Sequence, residues 1–599
     1  MLCSSTSKKS RSLLLFGSFL LMLTMSASAQ EKMPPKRETN DIRLSLEQIP
    51  APPASLPVFR LSAQKPPTEF VQEVLRRGDP KAGRLVPLGE IPQLLRKGEK
   101  APEEIIGALT DGRLGAYVNL KTGDAEIFPS LTRQKAVSGE QEEEVTERVG
   151  RIARETLGRA DLLSKDATQF SFEKPRPLFG ETAERGETGA EVKASKRGIY
   201  LTYVTARRSV EGKYFVYGPG SRALLAIGND GSIQGLQRRW KAAAPSGEVR
   251  ETRSREEVAE AIRTQLRPAT KEGEVEVLGT EIAYYDGHRE FLQPVYKFTA
   301  RIHAPEKEPN ESDKDRKNRH VDDDFVIGYV PIGKEREPVP SLLKNPGASP
   351  HEPKKKAAEE AKPGDPTVGR YVVRNDDSNW VANANEFWGG LTTFFGGFFF
   401  TDSQYYWAEP FEFNTDEASF VNSVNIAENE VHGDWWLFST LRNCCDLVDI
   451  TAIPASEGYG TANGGHLDYW VLHSCEVVPS AIDAPCPSDS RPWWTPWFNI
   501  FQGVHTVVGY RTIMWIDDDV TGPFATSLRF GAPVVSAWFN ATTSAGGYQG
   551  NPTYGAHCGR TPPMGRPSTV SACGRESDWI YDTSVIPRAS CLINFWQPN

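Results

Sequence analysis

Two short motifs in the last third of this 599-residue chain carry the residue types that nucleophilic catalysis needs. The first is the pair His432-Gly433, and the second is the apolar run 467–475 (LDYWVLHSC), which ends in Cys475. A cysteine at the end of a strand-like run is held rigidly, and a nearby histidine can take up and return its proton. A glycine after the histidine lets the backbone approach a substrate carbonyl closely. The spacing predicts a Cys/His pair that attacks a carbonyl carbon, with Cys475, His432 and Gly433 as candidate catalytic residues.

The cysteine count supports a chemical role for Cys475. All seven cysteines beyond the N-terminal leader lie after residue 440, namely Cys444, Cys445, Cys475, Cys486, Cys558, Cys573 and Cys591. An oxidising compartment pairs such thiols, and an odd number leaves one over. We expect that one to be Cys475, because a strand end beside a histidine suits a thiolate. The alternative is that Cys475 is bridged and another cysteine is left over.

The N-terminus has the composition of a secretory signal. Residues 8, 9 and 11 are basic, residues 13–23 are apolar but too few to span a bilayer, and Ala27-Ser28-Ala29 offers a small-residue cleavage site. We predict a signal peptide over residues 1–29 and a secreted or periplasmic protein. No later run approaches ~18 uninterrupted apolar residues, so we predict no membrane insertion once the leader is removed. The alternative is a short anchor that stays uncleaved.

Charge and histidine spacing restrict the partners and cofactors. The net charge of -9 is small for this length, and no basic stripe favours nucleic acid as a partner. A rival interpretation groups His466 and His505 with Cys475 as a zinc site. Because no C-x-x-C or H-x-x-x-H spacing supports that site, we predict no metal and no cofactor.

Composition changes sharply near residue 367. Thirteen of the fourteen tryptophans and every cysteine after the leader lie beyond it. A Pro-, Lys- and Glu-rich stretch just before this point cannot bury enough apolar surface to order itself. The predicted organisation is a signal peptide (1–29), a partly irregular N-terminal segment (30–135), an α+β region (136–333) with a long loop at 304–324, a disordered linker (334–366) and a disulfide-rich α/β domain (367–599).

The α+β region contains a meander of short strands followed by a helix over 255–266. Ser254 and Glu257 have the spacing of a capping box at the start of that helix. Residues 195–303 resemble the propeptides of thermolysin-like secreted peptidases in their order of strands, turns and helix. The resemblance implies a prodomain that assists folding, inhibits, or does both. The alternative is a structural or binding α+β module.

The last domain alternates short apolar runs with helical stretches. Strands are predicted over 467–472 and 506–511, and helices over 496–502 and 522–530. Alternation of this kind favours a parallel sheet that is covered on both faces.

These blocks resemble the caspase-like cysteine peptidases over roughly residues 420–545. His432-Gly433 fits the His-Gly block of that clan, and 469–475 (YWVLHSC) fits its block of an apolar strand, a small residue and Cys. The resemblance implies an α/β fold with a mainly parallel sheet and flanking helices. It also implies that Cys475 attacks as a thiolate, that His432 protonates the leaving amine, and that the backbone N–H groups of Gly433 and Cys475 stabilise the oxyanion.

Some residues depart from the pattern of the clan. The run 423–431 before the histidine is polar where the clan has an apolar strand, and His473 and Ser474 precede the cysteine. The departures leave the substrate class open and allow a degenerate, non-catalytic relative.

Two functions follow as hypotheses. The first is a secreted cysteine peptidase made as a zymogen, with a protein or peptide as substrate and a cleavage between 334 and 366 that leaves an enzyme beginning near Thr367. The second is a secreted non-catalytic binding or envelope protein on the same fold. Two further features stay open: the acid run 517–519 as a specificity pocket, a calcium site or a solvated turn, and the tryptophan pairs 435–436 and 493–494 as a ligand platform or as core.

Overall fold

The computed structural model describes most of the chain beyond residue 41. The described residues are 42–78, 82–91, 102–110, 113–159, 162–163, 165–186, 191–271, 273–303, 323–343, 345–354, 366–374, 378–392, 400–441, 446–483, 491–516, 519–545 and 563–598. The predicted signal peptide (1–29) and most of the predicted loop 304–324 lie outside the described residues.

Strands dominate the N-terminal half, and amphipathic helices cover them. The helices before residue 300 are Thr68–Gly78, Glu142–Leu157 and Arg255–Leu266. The last of these confirms the predicted capping box, because Ser254 Oγ accepts from the N–H of Glu257 at 3.2 Å and the carboxylate of Glu257 accepts from the N–H of Ser254 at 2.7 Å. The same helix buries Val258, Ile262 and Leu266, which recur at helical spacing along one face.

One sheet belongs to the N-terminal half. Its centre is the long hairpin of Val275–Asp286 and Phe291–Ile302, and Asp324–Pro331 pairs antiparallel with the second arm. The other members of this sheet are Ile42–Arg43, Ser55–Ser62, Tyr214–Tyr217 and Ala242–Glu251. Asp324–Pro331 matters for the site, because its first residues reach the C-terminal half.

A second, larger sheet runs through both halves. Its antiparallel part contains, in spatial order, Val86–Pro87, Ile105–Thr110, Arg113–Asn119, Ala125–Ile127, Ile233–Arg239, Arg222–Gly228, Gly198–Val210, Arg176–Arg185, Cys591–Trp596 and Pro567–Ala572. Shorter strands flank this part at Val137–Ser138, Gln169–Phe172 and Val192–Ala194.

The parallel part of the larger sheet holds the candidate site. Its strands, in spatial order, are Thr401–Trp407, Thr367–Val372, Ile426–Glu430, Tyr469–His473 and Thr506–Tyr510, and the last of them pairs antiparallel with Pro567–Ala572. In chain order these five are strands two, one, three, four and five. The inner four are buried along their whole length, as expected for parallel strands covered on both faces.

Helices cover the faces of this parallel part, and a small sheet lies beside it. The helices among the described residues of the C-terminal half are Ser378–Thr392, Phe411–Asn414, Trp497–Ile500, Thr521–Arg529 and Val534–Ser544. The small sheet contains His432–Asp434, Leu437–Ser439 and Leu447–Asp449. The predicted strands 467–472 and 506–511 and the predicted helix 522–530 agree with these elements to within two residues.

The predicted α/β class is confirmed in its coarse form, since strands and helices are mixed throughout. The larger sheet as a whole is mostly antiparallel, so a mainly parallel sheet describes only its five-strand part. The expectation came from the alternating pattern after residue 367, which says nothing about strands that the N-terminal half adds to the same sheet.

The two halves share that sheet instead of meeting only through a tether. The last strand, Cys591–Trp596, pairs with Arg176–Arg185 of the N-terminal half. The predicted linker is described in part: His351 donates its N–H to the carbonyl of Tyr405 at 2.9 Å, so residues around it lie against the sheet edge. Residues 355–365 of the linker lie outside the described residues.

Candidate active site

His432 and Cys475 follow two neighbouring parallel strands. The strands are Ile426–Glu430 and Tyr469–His473, and their last residues are register partners. Each candidate catalytic residue comes two positions after its strand ends. Both therefore lie at the carboxyl edge of the sheet, where open α/β sheets bind their ligands.

Gly433 lies tightly against the cysteine loop. A methyl group at its Cα would overlap the hydroxyl of Ser474 and the carbonyl oxygen of Cys475. The sequence predicted a glycine here so that a substrate could approach. In the structure the glycine also lets the histidine loop and the cysteine loop come together.

Cys475 is a half-buried thiol with a backbone donor directed at its sulfur. The N–H of Met514, on the loop after the next strand, donates to Cys475 Sγ at 3.4 Å. Hydrogen bonds to a charged form favour that form, so this contact stabilises a thiolate.

The residue after the cysteine has an unusual backbone. Glu476 has a φ of 53°, in the left-handed region that side chains with a Cβ avoid. Its N–H donates to the carbonyl of Thr512 at 3.2 Å. Strained backbone of this kind costs on the order of 1–3 kcal/mol and clusters at functional sites.

His432 contacts an acid from the N-terminal half. Its Nδ1 lies 3.2 Å from Asp324 Oδ1, with side chains 10% and 5% exposed. The ring of Trp380 lies edge-on to the imidazole, with centroids 5.2 Å apart. A carboxylate near Nδ1 fixes the orientation of the ring.

The same N-terminal strand covers the cysteine. The carbonyl of Phe325 accepts from the N–H of Ile516 at 3.1 Å, and the Phe325 ring lies 6.0 Å from that of Trp515. Cys475 packs against the apolar cluster that contains both rings. The N-terminal half therefore lies over the mouth of the candidate site.

The polar run before His432 is buried. Glu428, Asn429 and Glu430 are each 0% exposed. His473 Nδ1 lies 2.8 Å from Glu430 Oε2 across the two strands. Burial and the neighbouring carboxylate of Glu430 hold the pKa of Glu428 well above its usual value.

Sequence reasoning missed Asp324 as a site residue. It assigned Asp324 to the end of a long loop, whereas the structure makes it the first residue of the strand Asp324–Pro331. The available signal was the apolar run 325–330, which begins directly after the acid run 322–324. Glu430 and His473 were noticed only as departures from a pattern.

The histidines of the rival zinc interpretation lie elsewhere. His505 precedes its strand, at the amino edge of the sheet, whereas Cys475 follows its strand. Its Nδ1 lies 2.8 Å from Asp578 Oδ2 and its Nε2 lies 2.9 Å from the carbonyl oxygen of Ser584. Among the described residues, no group of three or more His, Cys, Asp or Glu side chains is arranged to hold a metal ion.

The described residue of the acid run 517–519 and the two tryptophan pairs make contacts within the protein. Asp519 of the acid run lies 3.5 Å from Arg222 of the N-terminal half, and residues 517–518 lie outside the described ones. In the tryptophan pairs, Trp436 and Trp493 are 2% and 4% exposed, so one member of each pair is core.

One disulfide joins described residues, Cys573 to Cys591, at the start of the last strand. Cys444, Cys445, Cys486 and Cys558 lie outside the described residues. Cys475 is a thiol, as its position at a strand end beside a histidine predicted.

Comparisons with known proteins support a domain boundary near residue 367 and indicate no activity. The chain is similar to a domain of unknown function, DUF6345, over residues 366–563, which begins one residue before the predicted domain start at Thr367. No curated protein matches the chain. A solved structure of an uncharacterized protein from Eubacterium rectale ATCC 33656 is 10% identical over 48% of this chain and 88% of that one, with a TM-score of 0.26, a value too low to indicate a shared fold.

Proposed function

We propose that this chain is an exported cysteine peptidase made as a zymogen, with a protein or peptide as its substrate. The single observation that carries the proposal is the placement of His432 and Cys475 at the carboxyl edge of the sheet, after neighbouring parallel strands. The Met514 N–H at the sulfur and the strained backbone at Glu476 support it.

The reaction is amide hydrolysis in two steps. The thiolate of Cys475 adds to the scissile carbonyl carbon, and the backbone N–H groups of Gly433 and Cys475 stabilise the oxyanion, each worth about 3 kcal/mol. The C–N bond then breaks as His432 gives a proton to the leaving amine, which leaves a thioester. Water, deprotonated by His432, adds to the thioester and releases the acid and the thiolate.

The proposed fold of residues 367–599 is caspase-like. Support comes from the parallel strands in the order two, one, three, four, five, a doubly wound arrangement that places ligands at the carboxyl edge. The buried polar strand Ile426–Glu430 is the main departure from the resemblance.

The N-terminal half serves as the inhibitory prodomain in this proposal. Asp324 contacts His432, and Phe325 packs on the loop that carries Met514 and Ile516, so this strand restricts the access of a peptide to the thiol. Activation is proposed to require cleavage between 334 and 366, after which the strand Asp324–Pro331 lifts from the site while the rest of the N-terminal half stays paired through the shared sheet. No helix of the described chain is long and apolar enough to cross a membrane. Export through residues 1–29 stays a proposal.

A non-catalytic binding or envelope protein is the second candidate. The observation that favours it is the shared sheet, since pairing of Cys591–Trp596 with Arg176–Arg185 would keep the cover in place after a linker cut. A permanently covered thiol would perform no hydrolysis.

The test compares the wild-type chain from residue 30 with Cys475→Ala and His432→Ala, before and after a linker cut by added trypsin. His466→Ala, which changes an exposed histidine outside the site, is the matched control. We expect thiol-dependent hydrolysis of a peptide library by the wild type and His466→Ala, and none by the other two. Equal activity in all four, or none in any after the cut, would refute the peptidase and favour the binding protein.

A further inference from the structure

A buried pair joins the two strands directly behind the proposed catalytic residues. Glu430 and His473 are register partners on neighbouring strands. His432 follows the first by two residues and Cys475 follows the second by two. At ~3.3 Å per residue, the pair lies about 7 Å along the strands from the site.

The pair is connected to the helix above it. Both side chains are 0% exposed, with 2.8 Å between His473 Nδ1 and Glu430 Oε2. Asn383, on Ser378–Thr392, donates to the same carboxylate oxygen at 3.2 Å. Trp380, one turn earlier on that helix, lies 5.2 Å from the ring of His432 and 6.4 Å from that of His473. The two histidines therefore lie under the same helix.

Asn383 also joins the pair to the loop behind the sulfur. Its amide donates to the carbonyl of Ile516 at 2.8 Å. Two residues earlier on that loop, Met514 donates its N–H to Cys475 Sγ. Hydrogen bonds thus run from the strand pair, through one helix residue, to the loop that contacts the thiol.

Stability alone does not account for these polar residues. The interior of a parallel strand normally consists of Val, Ile and Leu. Replacing a buried ionic pair by apolar side chains of similar size is often neutral or stabilising. Of the acids on this strand, Glu430 is the one that lies within hydrogen-bond distance of His473. A hydrogen-bonded pair fixes the relative orientation of the two strands at this point, which an apolar pair does not.

We propose that Glu430, His473 and Asn383 are positioning residues, which hold His432, Cys475 and the Met514 N–H in the geometry that makes the thiol reactive. This inference rests on the proposed thiol chemistry. The three residues touch no substrate and act through the strand ends and the loop.

The test measures alkylation of Cys475 by iodoacetamide against pH in the full chain from residue 30, quantified by mass spectrometry of the peptide that contains it. The variants are Glu430→Leu, which removes the acceptor, and Glu430→Gln, which keeps one. The matched control is Trp470→Phe, because Trp470 Nε1 donates to Asn429 Oδ1 at 3.0 Å between the same two strands on their other face.

We expect Glu430→Leu to move the pH midpoint of alkylation up toward about 8.5, the ordinary thiol value. Its rate at neutral pH should fall about tenfold for each pH unit by which the midpoint rises, because the thiolate is the form that reacts. Glu430→Gln should restore most of the rate, and Trp470→Phe should match the wild type. Other titratable groups near the thiol are Asp324, Glu476 and the tyrosines of the covering cluster; burial raises the pKa of Tyr217 and Tyr285, so these two do not titrate in the neutral range.

Equal profiles for Glu430→Leu and Trp470→Phe would overturn the inference. If Glu430→Leu does not fold, Asn383→Ala takes its place with the same expectation. The variant His432→Ala distinguishes a failure of the proposed function from a failure of the positioning role. If His432→Ala has the same alkylation profile as the wild type, the proposed function itself is refuted. If His432→Ala changes the profile and the Glu430 variants do not, only the positioning role is refuted.

Discussion

Asp324 Oδ1 lies 3.2 Å from Nδ1 of His432, although the two residues come from opposite halves of the chain. Asp324 begins the strand whose next residue, Phe325, accepts from the N–H of Ile516 on the loop that also contacts the thiol. One contact thus joins the candidate catalytic histidine to the strand that covers it. Removing this contact should increase the access of reagents to the site while the fold is kept.

Asp324→Ala should speed alkylation of Cys475 in the intact chain roughly tenfold, because removing one partner of a buried polar contact costs about 1–3 kcal/mol and opens the covering strand more often. Asp323→Ala is the control, since Asp323 is bonded to Arg301 within the N-terminal half. The measurement is the alkylation rate by mass spectrometry at one pH. Equal rates in the two variants would show that Asp324 does not hold the cover.

Gly433→Ala should destabilise the chain by about 1–3 kcal/mol, because the added methyl group would overlap Ser474 and the carbonyl of Cys475. Gly389→Ala is the control, since a methyl group on that helical glycine meets nothing within 4 Å. It should be neutral or stabilising by up to about 1 kcal/mol. Urea unfolding measures both. A neutral Gly433→Ala would mean that the two loops do not need their close approach.

Stability should fall as pH rises from about 4 to 7, in part because of Asp468. Burial raises the pKa of its carboxyl from 3.8 to about 7. The folded chain therefore keeps a proton that the unfolded chain has released, so this contribution is complete below pH 3.8 and is lost as pH rises through about 7. His505, whose pKa Asp578 and Asp468 raise against the effect of burial, acts in the same direction.

Asp468→Asn should remove that part of the pH dependence. The difference in unfolding free energy between variant and wild type should change by up to about 4 kcal/mol between pH 4 and pH 8. Urea unfolding at both pH values measures it. Parallel pH profiles for the two proteins would show that Asp468 titrates as an ordinary exposed carboxyl.

A single cut between 334 and 366 should leave the two halves associated. Cys591–Trp596 pairs with Arg176–Arg185 over six register positions, and Glu126 of the N-terminal half accepts from Asn540 at 3.2 Å. We expect both fragments to elute together on size exclusion and to separate only in denaturant. The Cys475→Ala chain, cut by trypsin, is the control that excludes self-digestion. An N-terminal fragment that elutes alone would contradict the shared sheet.

Local signals in the sequence predicted several elements well. The helix Arg255–Leu266 and its Ser254 cap were predicted to the residue, because a capping box and an apolar stripe depend only on neighbours along the chain. The strand Tyr469–His473 and the position of Cys475 after it were predicted for the same reason.

Contacts between distant segments were decided only by the tertiary structure. That Asp324 meets His432 depends on how the N-terminal sheet packs on the C-terminal half, and no local pattern encodes that docking. In the sequence, Glu430 and His473 are polar residues at positions where an apolar residue is expected. The strand register places them side by side under one helix. Register is set by burial on both faces of the whole sheet. The sequence of either strand alone therefore does not determine which side chains become neighbours across the two strands.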